Sequence, residues 1–247
     1  MLRFFMTIIL NLYYVPYAIH KMRYAVAHPE IYTEERKYKI ARGIIKKIKD
    51  AGLIFTKVSG AENLPKDTGY IMYPNHQGKY DALGIIATHK KPCAVVVDDA
   101  KSHMIVANEF YNLTGSKRLV KGDLRQNAKL IFDMTNEVKN GRHFIIFPEG
   151  GYTNNKNRMC TFKPGCFKAS LQSKTPIVPV ALIDSYTVFN TFTIGPVFTQ
   201  VHYLKPIPYE EYKDMKTPEI AAMVKERIAE KIYEIKKVRP YPEENHE

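Results

Sequence analysis

Residues 70–84 read YIMYPNHQGKYDALG, an apolar run, Tyr70–Tyr73, that stops at Pro74, passes through a polar turn containing Gly78 and becomes apolar again. Four consecutive apolar positions bounded by turn formers describe a strand covered on both faces rather than one half in water. His76 and Asp81 stand five apart, and on a regular helix they would point about 140° away from each other. They can meet only if the chain turns between them, which Gly78 permits. The stretch therefore predicts strand, turn, helix, with a histidine and an aspartate at the turn.

The same pattern recurs along the chain. CAVVV at 93–97 and FIIFPEGG at 144–151 are also apolar at consecutive positions. Strands are expected over Leu53–Val58, Tyr70–Tyr73, Ala94–Val97, Phe144–Phe147, Ile177–Ile183 and Val197–Tyr203, and helices over Asp123–Lys139 and Lys163–Ser173. A last amphipathic helix opens at Thr217, the expected N-cap, with Pro218 at its first position. The alternation predicts an α/β fold, a central mostly parallel sheet covered by helices, over residues 51–247. The acidic end, EENHE, is expected to fray.

Residues 1–50 form the other expected unit, an N-terminal membrane-associated helical hairpin. Phe4–Ile19 is apolar and aromatic but short for a bilayer span and broken by Asn11 and Pro16, which predicts an anchor lying in the interface. No small-residue cleavage site follows, so it is not read as a removable signal. If it does span, Lys21 and Arg23 outweigh Arg3, which would put the bulk of the chain on the cytoplasmic side. The second helix starts at Thr33 as N-cap, with Glu34 and Glu35 in its first turn; it carries Ile40, Ile44, Ile45 and Ile48 on one face and Lys39, Arg42, Lys46 and Lys49 on the other. An anionic membrane surface is the partner that this pairing of apolar and basic faces suits.

Composition narrows the function classes. With 247 residues, a formal net charge of +12 and only three cysteines, the chain can bury a core without disulfides and favours anionic partners. Nucleic acid is disfavoured because basic runs interleaved with aromatics are missing and there is no Trp. No Gly-x-Ser-x-Gly elbow, Walker A loop, His-Glu-x-x-His or Gly-x-Gly-x-x-Gly occurs, so serine hydrolysis, nucleotide binding and zinc proteolysis lack their groups. Asn112-Leu113-Thr114 is read as a chance sequon. Cys160 and Cys166 are read as small core fillers or incidental thiols.

What chemistry remains is in His76 and Asp81. An aspartate that accepts a hydrogen bond from one ring nitrogen fixes the tautomer and leaves the other nitrogen as a general base. Glu149, in the loop after an apolar strand, and the segment KGDLRQ at 121–126 are further polar groups where α/β proteins build sites.

Taken together, these segments resemble the glycerophospholipid acyltransferase family, and within it the 1-acyl-sn-glycerol-3-phosphate acyltransferases. His76-x-x-x-x-Asp81 is similar to the first family motif, Leu119–Gln126 to the second, Phe147-Pro148-Glu149-Gly150 to the third and Ile177-Val178-Pro179-Val180 to the fourth. The resemblance implies acyl transfer from an acyl thioester, coenzyme A or acyl carrier protein serving as co-substrate, to the sn-2 hydroxyl of lysophosphatidic acid. It implies neither a cofactor nor a metal. His76 and Asp81 would be catalytic; Glu149 and Gly150 would position the acceptor; Lys121, Arg125 and Lys101 would share the phosphate; Asn75 or backbone N–H groups after His76 would stabilise the oxyanion. Two departures stand out: Lys121 occupies a position where the second motif usually has Arg, and the third motif continues Gly151-Tyr152-Thr153 instead of Thr-Arg-Ser. Lys163, one of 37 basic residues, is expected to be a solvated charge. Acylation of glycerol-3-phosphate or another lysophospholipid is the alternative within the class, and a noncatalytic basic module docking on membranes or nucleic acid the alternative outside it.

Overall fold

The structure is a computed structural model that describes residues 2–153, 155–193, 195–238 and 240; the tail expected to fray, 243–247, lies outside the described residues. Three helices open the chain, α1 (Leu2–Leu10), α2 (Val15–Ala27) and α3 (Glu34–Gly52). Then follow β1 (Ile54–Ser59), β2 (Tyr70–Pro74), α4 (Asp81–Thr88), β3 (Cys93–Asp98), α5 (Asp99–Ser102), α6 (Ala107–Leu113), β4 (Lys117–Leu119), α7 (Leu124–Lys139) and β5 (His143–Ile145). The last part holds α8 (Lys168–Ser173), β6 (Ile177–Ile183), β7 (Val197–Tyr203), α9 (Tyr209–Tyr212) and α10 (Thr217–Lys236).

The seven strands form one sheet in the order β1-β7-β6-β2-β5-β3-β4, and every neighbouring pair is parallel except β6 with β7. Five parallel strands, β6, β2, β5, β3 and β4, therefore end on the same edge, and the loops leaving them share it. Alternation along β2 sends Ile71 and Tyr73 to one face, where they meet Phe144, Phe167, Ile177, Val224 and Ile228, and Tyr70 and Met72 to the other, where they meet Ile45, Ile85, Val95 and Val178. Burial of both faces is why the run shows no polar alternation.

The amino terminus differs from the expected hairpin. The apolar stretch is two helices, α1 and α2, bent by 79° about Asn11–Tyr14, and no single helix among the described residues is long and apolar enough to cross a membrane. The break has local causes: the Asn11 side chain donates to the Thr7 carbonyl at 2.8 Å, and Pro16, in the first turn of α2, has no N–H with which to continue α1. Nor do residues 1–50 stand apart, since Met22, Ala25, Tyr38, Ala41 and Ile45 are buried in the same core as Met72 and Ile85. Arg3, fully buried, fastens α1 to the loop after β6 by donating to the carbonyls of Thr187, Val188 and Gly195. Thr33 caps α3 as expected, its hydroxyl accepting from the Arg36 N–H. On α10 the cap shifts by one residue to Lys216, whose N–H donates to the Glu219 carboxylate at 2.6 Å.

Candidate active site

Strand β2 delivers its last residue, Pro74, to the shared edge; the chain turns through Asn75–Tyr80, and α4 begins at Asp81. This is the strand, turn and helix that the spacing requires. Asp81 is fully buried and surrounded by donors. Its Oδ2 accepts from His76 Nδ1 at 2.7 Å and from the backbone N–H groups of Gln77 at 2.5 Å and Gly78 at 2.9 Å, while Oδ1 accepts from the Ser185 hydroxyl at 2.5 Å. A buried carboxylate is tolerable only with such compensation. The consequence for His76 is a fixed tautomer: Nδ1 carries the hydrogen that faces Asp81, and Nε2 keeps its lone pair.

The imidazole is also held by packing. Phe147 stacks on its face with centroids 4.1 Å apart and planes 26° apart, and Tyr152 meets it edge-on at 4.7 Å. The His76 side chain keeps 17% of its surface open, enough for a substrate hydroxyl to reach one nitrogen.

Glu149 reaches the same turn from the other side. It is buried, and both carboxylate oxygens are occupied: Oε1 accepts the backbone N–H of His76 at 2.8 Å and Oε2 that of Cys160 at 2.8 Å. Burial pushes its carboxyl above the ordinary value, against the pull of those two N–H groups. Beside the role expected for it, holding the acceptor, Glu149 clamps the main chain of His76 to the loop after β5. Asn75, fully buried, exchanges two hydrogen bonds with the backbone of Leu182, at 2.7 and 3.0 Å, which use its amide oxygen and one of its two amide hydrogens, while the N–H groups of Gln77 and Gly78 are turned to Asp81. Gly150 has φ +69°, a conformation that disfavours a side chain, and a Cβ there would stand 2.5 Å from Nζ of Lys163.

The acyltransferase profile, described as "Acyltransferase", matches residues 55–183, a span containing His76, Asp81, Glu149 and the whole of β6. The chain belongs to the acyltransferase family. A 1-acyl-sn-glycerol-3-phosphate acyltransferase of Saccharomyces cerevisiae is 32% identical over 187 residues, 72% of this chain and 60% of that protein. The alpha enzyme of Homo sapiens is 28% identical over 196 residues, 76% of this chain and 67% of that protein, and that of Escherichia coli 27% over 169 residues, 68% of each. The chain thus spans less than two thirds of the length of the yeast relative. In fold it is similar to a 1-acyl-sn-glycerophosphate (LPA) acyltransferase from Thermotoga maritima, with a TM-score of 0.75 over 96% of this chain and 98% of that one at 19% identity.

Within this acyltransferase-family chain the basic residues are dispersed. Lys121, after β4, pairs with Asp98 at 2.6 Å and is largely exposed; Arg125 lies exposed in the first turn of α7, and Lys101 exposed in α5. Strand β4 is three places from β2, about 14 Å across the sheet. The residues that sequence reasoning missed are those that position the histidine: Phe147 and Tyr152 around its ring, Gln77 and Ser185 behind Asp81. Gln77 is fully buried, its amide oxygen accepting from the backbone N–H of Ser185 at 2.9 Å. Nothing marks these residues in sequence except that each directly follows or interrupts a strand-end motif. Lys163, expected in solvent alone, lies across Gly150, with its backbone N–H bonded to the Pro148 carbonyl at 2.8 Å.

Proposed function

We propose that this chain transfers a fatty acyl group from an acyl thioester to the sn-2 hydroxyl of lysophosphatidic acid, giving phosphatidic acid. The observation that carries the reading is the His76 imidazole held by the buried Asp81 at 2.7 Å with Nε2 open. The acceptor is the one in the names of the relatives.

A glycerol hydroxyl attacks a thioester carbonyl well only as its proton leaves, and Nε2 of His76 takes that proton. Asp81 holds the imidazolium that forms. The tetrahedral intermediate collapses by expelling the thiolate, a good leaving group with a thiol pKa of about 8.5, which then recovers the proton from His76. One C–O bond forms and one C–S bond breaks, so no acyl-enzyme and no nucleophile of the protein's own are needed. Coenzyme A or acyl carrier protein would carry the acyl group, and neither a metal nor a cofactor has a part in these steps.

The reaction takes place at a membrane, on its cytoplasmic face. Support comes from the bent pair α1–α2, which with its break exposes Phe5, Ile9, Leu10, Leu12, Tyr13 and Tyr17, and from Lys21 and Arg23, which follow these residues in the sequence. The experiment is thiol release from palmitoyl-coenzyme A in detergent micelles on adding lysophosphatidic acid, with the lipid product identified. Release that depends on the lysolipid and yields phosphatidic acid is expected. Wild-type protein that releases no thiol, with acyl carrier protein as alternative donor and glycerol-3-phosphate as alternative acceptor, would sink the proposal.

A further inference from the structure

We infer that Lys163 contacts the phosphate of the acceptor and replaces, from a different point in the chain, the cation that the third motif lacks here. The inference rests on the acyl-transfer reading and names the residue that selects its acceptor.

Three observations converge. The third motif runs Glu149-Gly150-Gly151-Tyr152, and Tyr152, where the family often has Arg, is packed edge-on against His76 at 4.7 Å, so the motif itself brings no cation. The Lys163 ammonium lies over Gly150, where a Cβ would stand 2.5 Å from Nζ and 2.9 Å from Cε; the position is vacant of side chain and φ is +69°. Glu149, one residue away, is bonded to the His76 main chain, so the ammonium sits beside the loop that carries the base.

Charge separates Lys163 from Lys121 and Lys236. Lys121 is paired with Asp98 and Lys236 with Asp184, whereas no carboxylate among the described residues lies within ion-pair distance of Lys163. Its side chain is exposed, and its main chain is held by the bond from its N–H to the Pro148 carbonyl. An ammonium presents a compact charge with rotatable donors, suited to a phosphate dianion approaching from solvent. The geometry of the acceptor agrees: the phosphate sits on the carbon next to the one bearing the reacting hydroxyl, so the group that binds it has to lie close to the base. Lys121 and Arg125 lie on the far side of the sheet edge, on the connection that follows β4.

The test compares wild type, Lys163→Gln and Lys163→Arg with two acceptors of the same acyl chain, lysophosphatidic acid and the phosphate-free monoacylglycerol, at saturating palmitoyl-coenzyme A. Lys163→Gln is expected to raise KM for lysophosphatidic acid about tenfold while kcat changes little, to leave monoacylglycerol unaffected, and to be rescued in large part by Lys163→Arg. An unchanged KM for lysophosphatidic acid, or an equal rise for both acceptors, would overturn the inference. Calorimetric binding of a short-chain lysophosphatidic acid without thioester separates the two readings. Binding that Lys163→Gln weakens, in a wild type that releases no thiol, supports the phosphate contact and sinks acyl transfer; undiminished binding to Lys163→Gln in an active enzyme sinks the contact alone.

Discussion

Glu149 reaches His76 through the main chain: its Oε1 accepts the His76 backbone N–H at 2.8 Å while Oε2 accepts that of Cys160 at 2.8 Å. The third motif is therefore joined to the first by a clamp on the residue that bears the base, and the loop after β5 is tied to the loop after β2. Glu149→Gln keeps the shape but turns one acceptor into a donor, so one N–H must lose its partner. A buried donor left without one costs on the order of 1–3 kcal/mol, and kcat is expected to fall about ten- to a hundredfold with modest loss of stability. Steady-state kinetics beside a thermal melt check this; full activity would mean that the clamp is dispensable.

Two buried histidines on the other side of β2 set the acid limit of the fold. His89 donates from Nδ1 to the Lys91 carbonyl and faces the Tyr70 hydroxyl with Nε2 at 2.7 Å, and His143 donates from Nδ1 to the Pro92 carbonyl at 3.1 Å. Burial pushes both down to about 4 from the usual 6.5. The unfolded chain thus binds protons that the native state refuses: stability is complete above pH 6.5 and is lost as pH falls from 6.5 towards 4, on the order of 3 kcal/mol per histidine at the lower end. His89→Gln with His143→Gln should flatten the melting temperature across that window. An unaltered slope would assign the acid sensitivity to other groups.

How much of this was legible in sequence depended on how each segment earns its place. Ile177–Ile183 and Val197–Tyr203 are strands with the expected bounds, the first because continuous burial leaves an unbroken apolar run, the second although Phe198 is exposed and Gln200 half-buried along it. Phe144–Phe147 is shorter in the fold, ending at Ile145, since Phe147 leaves the sheet to stack on His76. The helix expected over Lys163–Ser173 begins only at Lys168, where a tight turn over Pro164–Phe167 has ended. Strand β4, Lys-Arg-Leu, lies at the sheet edge and carries no apolar pattern at all. The pair His76 and Asp81 could be read because a five-residue spacing and a glycine demand a turn. The Ser185 hydroxyl on Asp81 could not, because it arrives from the end of β6, on a neighbouring strand far away in sequence. Lys163 was passed over for the same reason: only the fold lays it on Gly150.

Helix α1 and the break that follows it expose Ile9, Leu12 and Tyr13 at 67%, 64% and 77%. Burying three such side chains in a lipid interface contributes several kcal/mol, so replacing all three with Ser is expected to weaken binding to vesicles containing phosphatidylglycerol at least about a hundredfold. The melting temperature should hold, as none of the three is in the core. Vesicle sedimentation measures this, and undiminished binding would place the membrane contact elsewhere.

The most direct test of the central claim is thiol release from palmitoyl-coenzyme A in the presence of lysophosphatidic acid, wild type against His76→Ala at matched folding. If Nε2 of His76 is the base, release by the mutant drops about a hundredfold or more. Release at the wild-type rate from a folded His76→Ala protein would contradict the account.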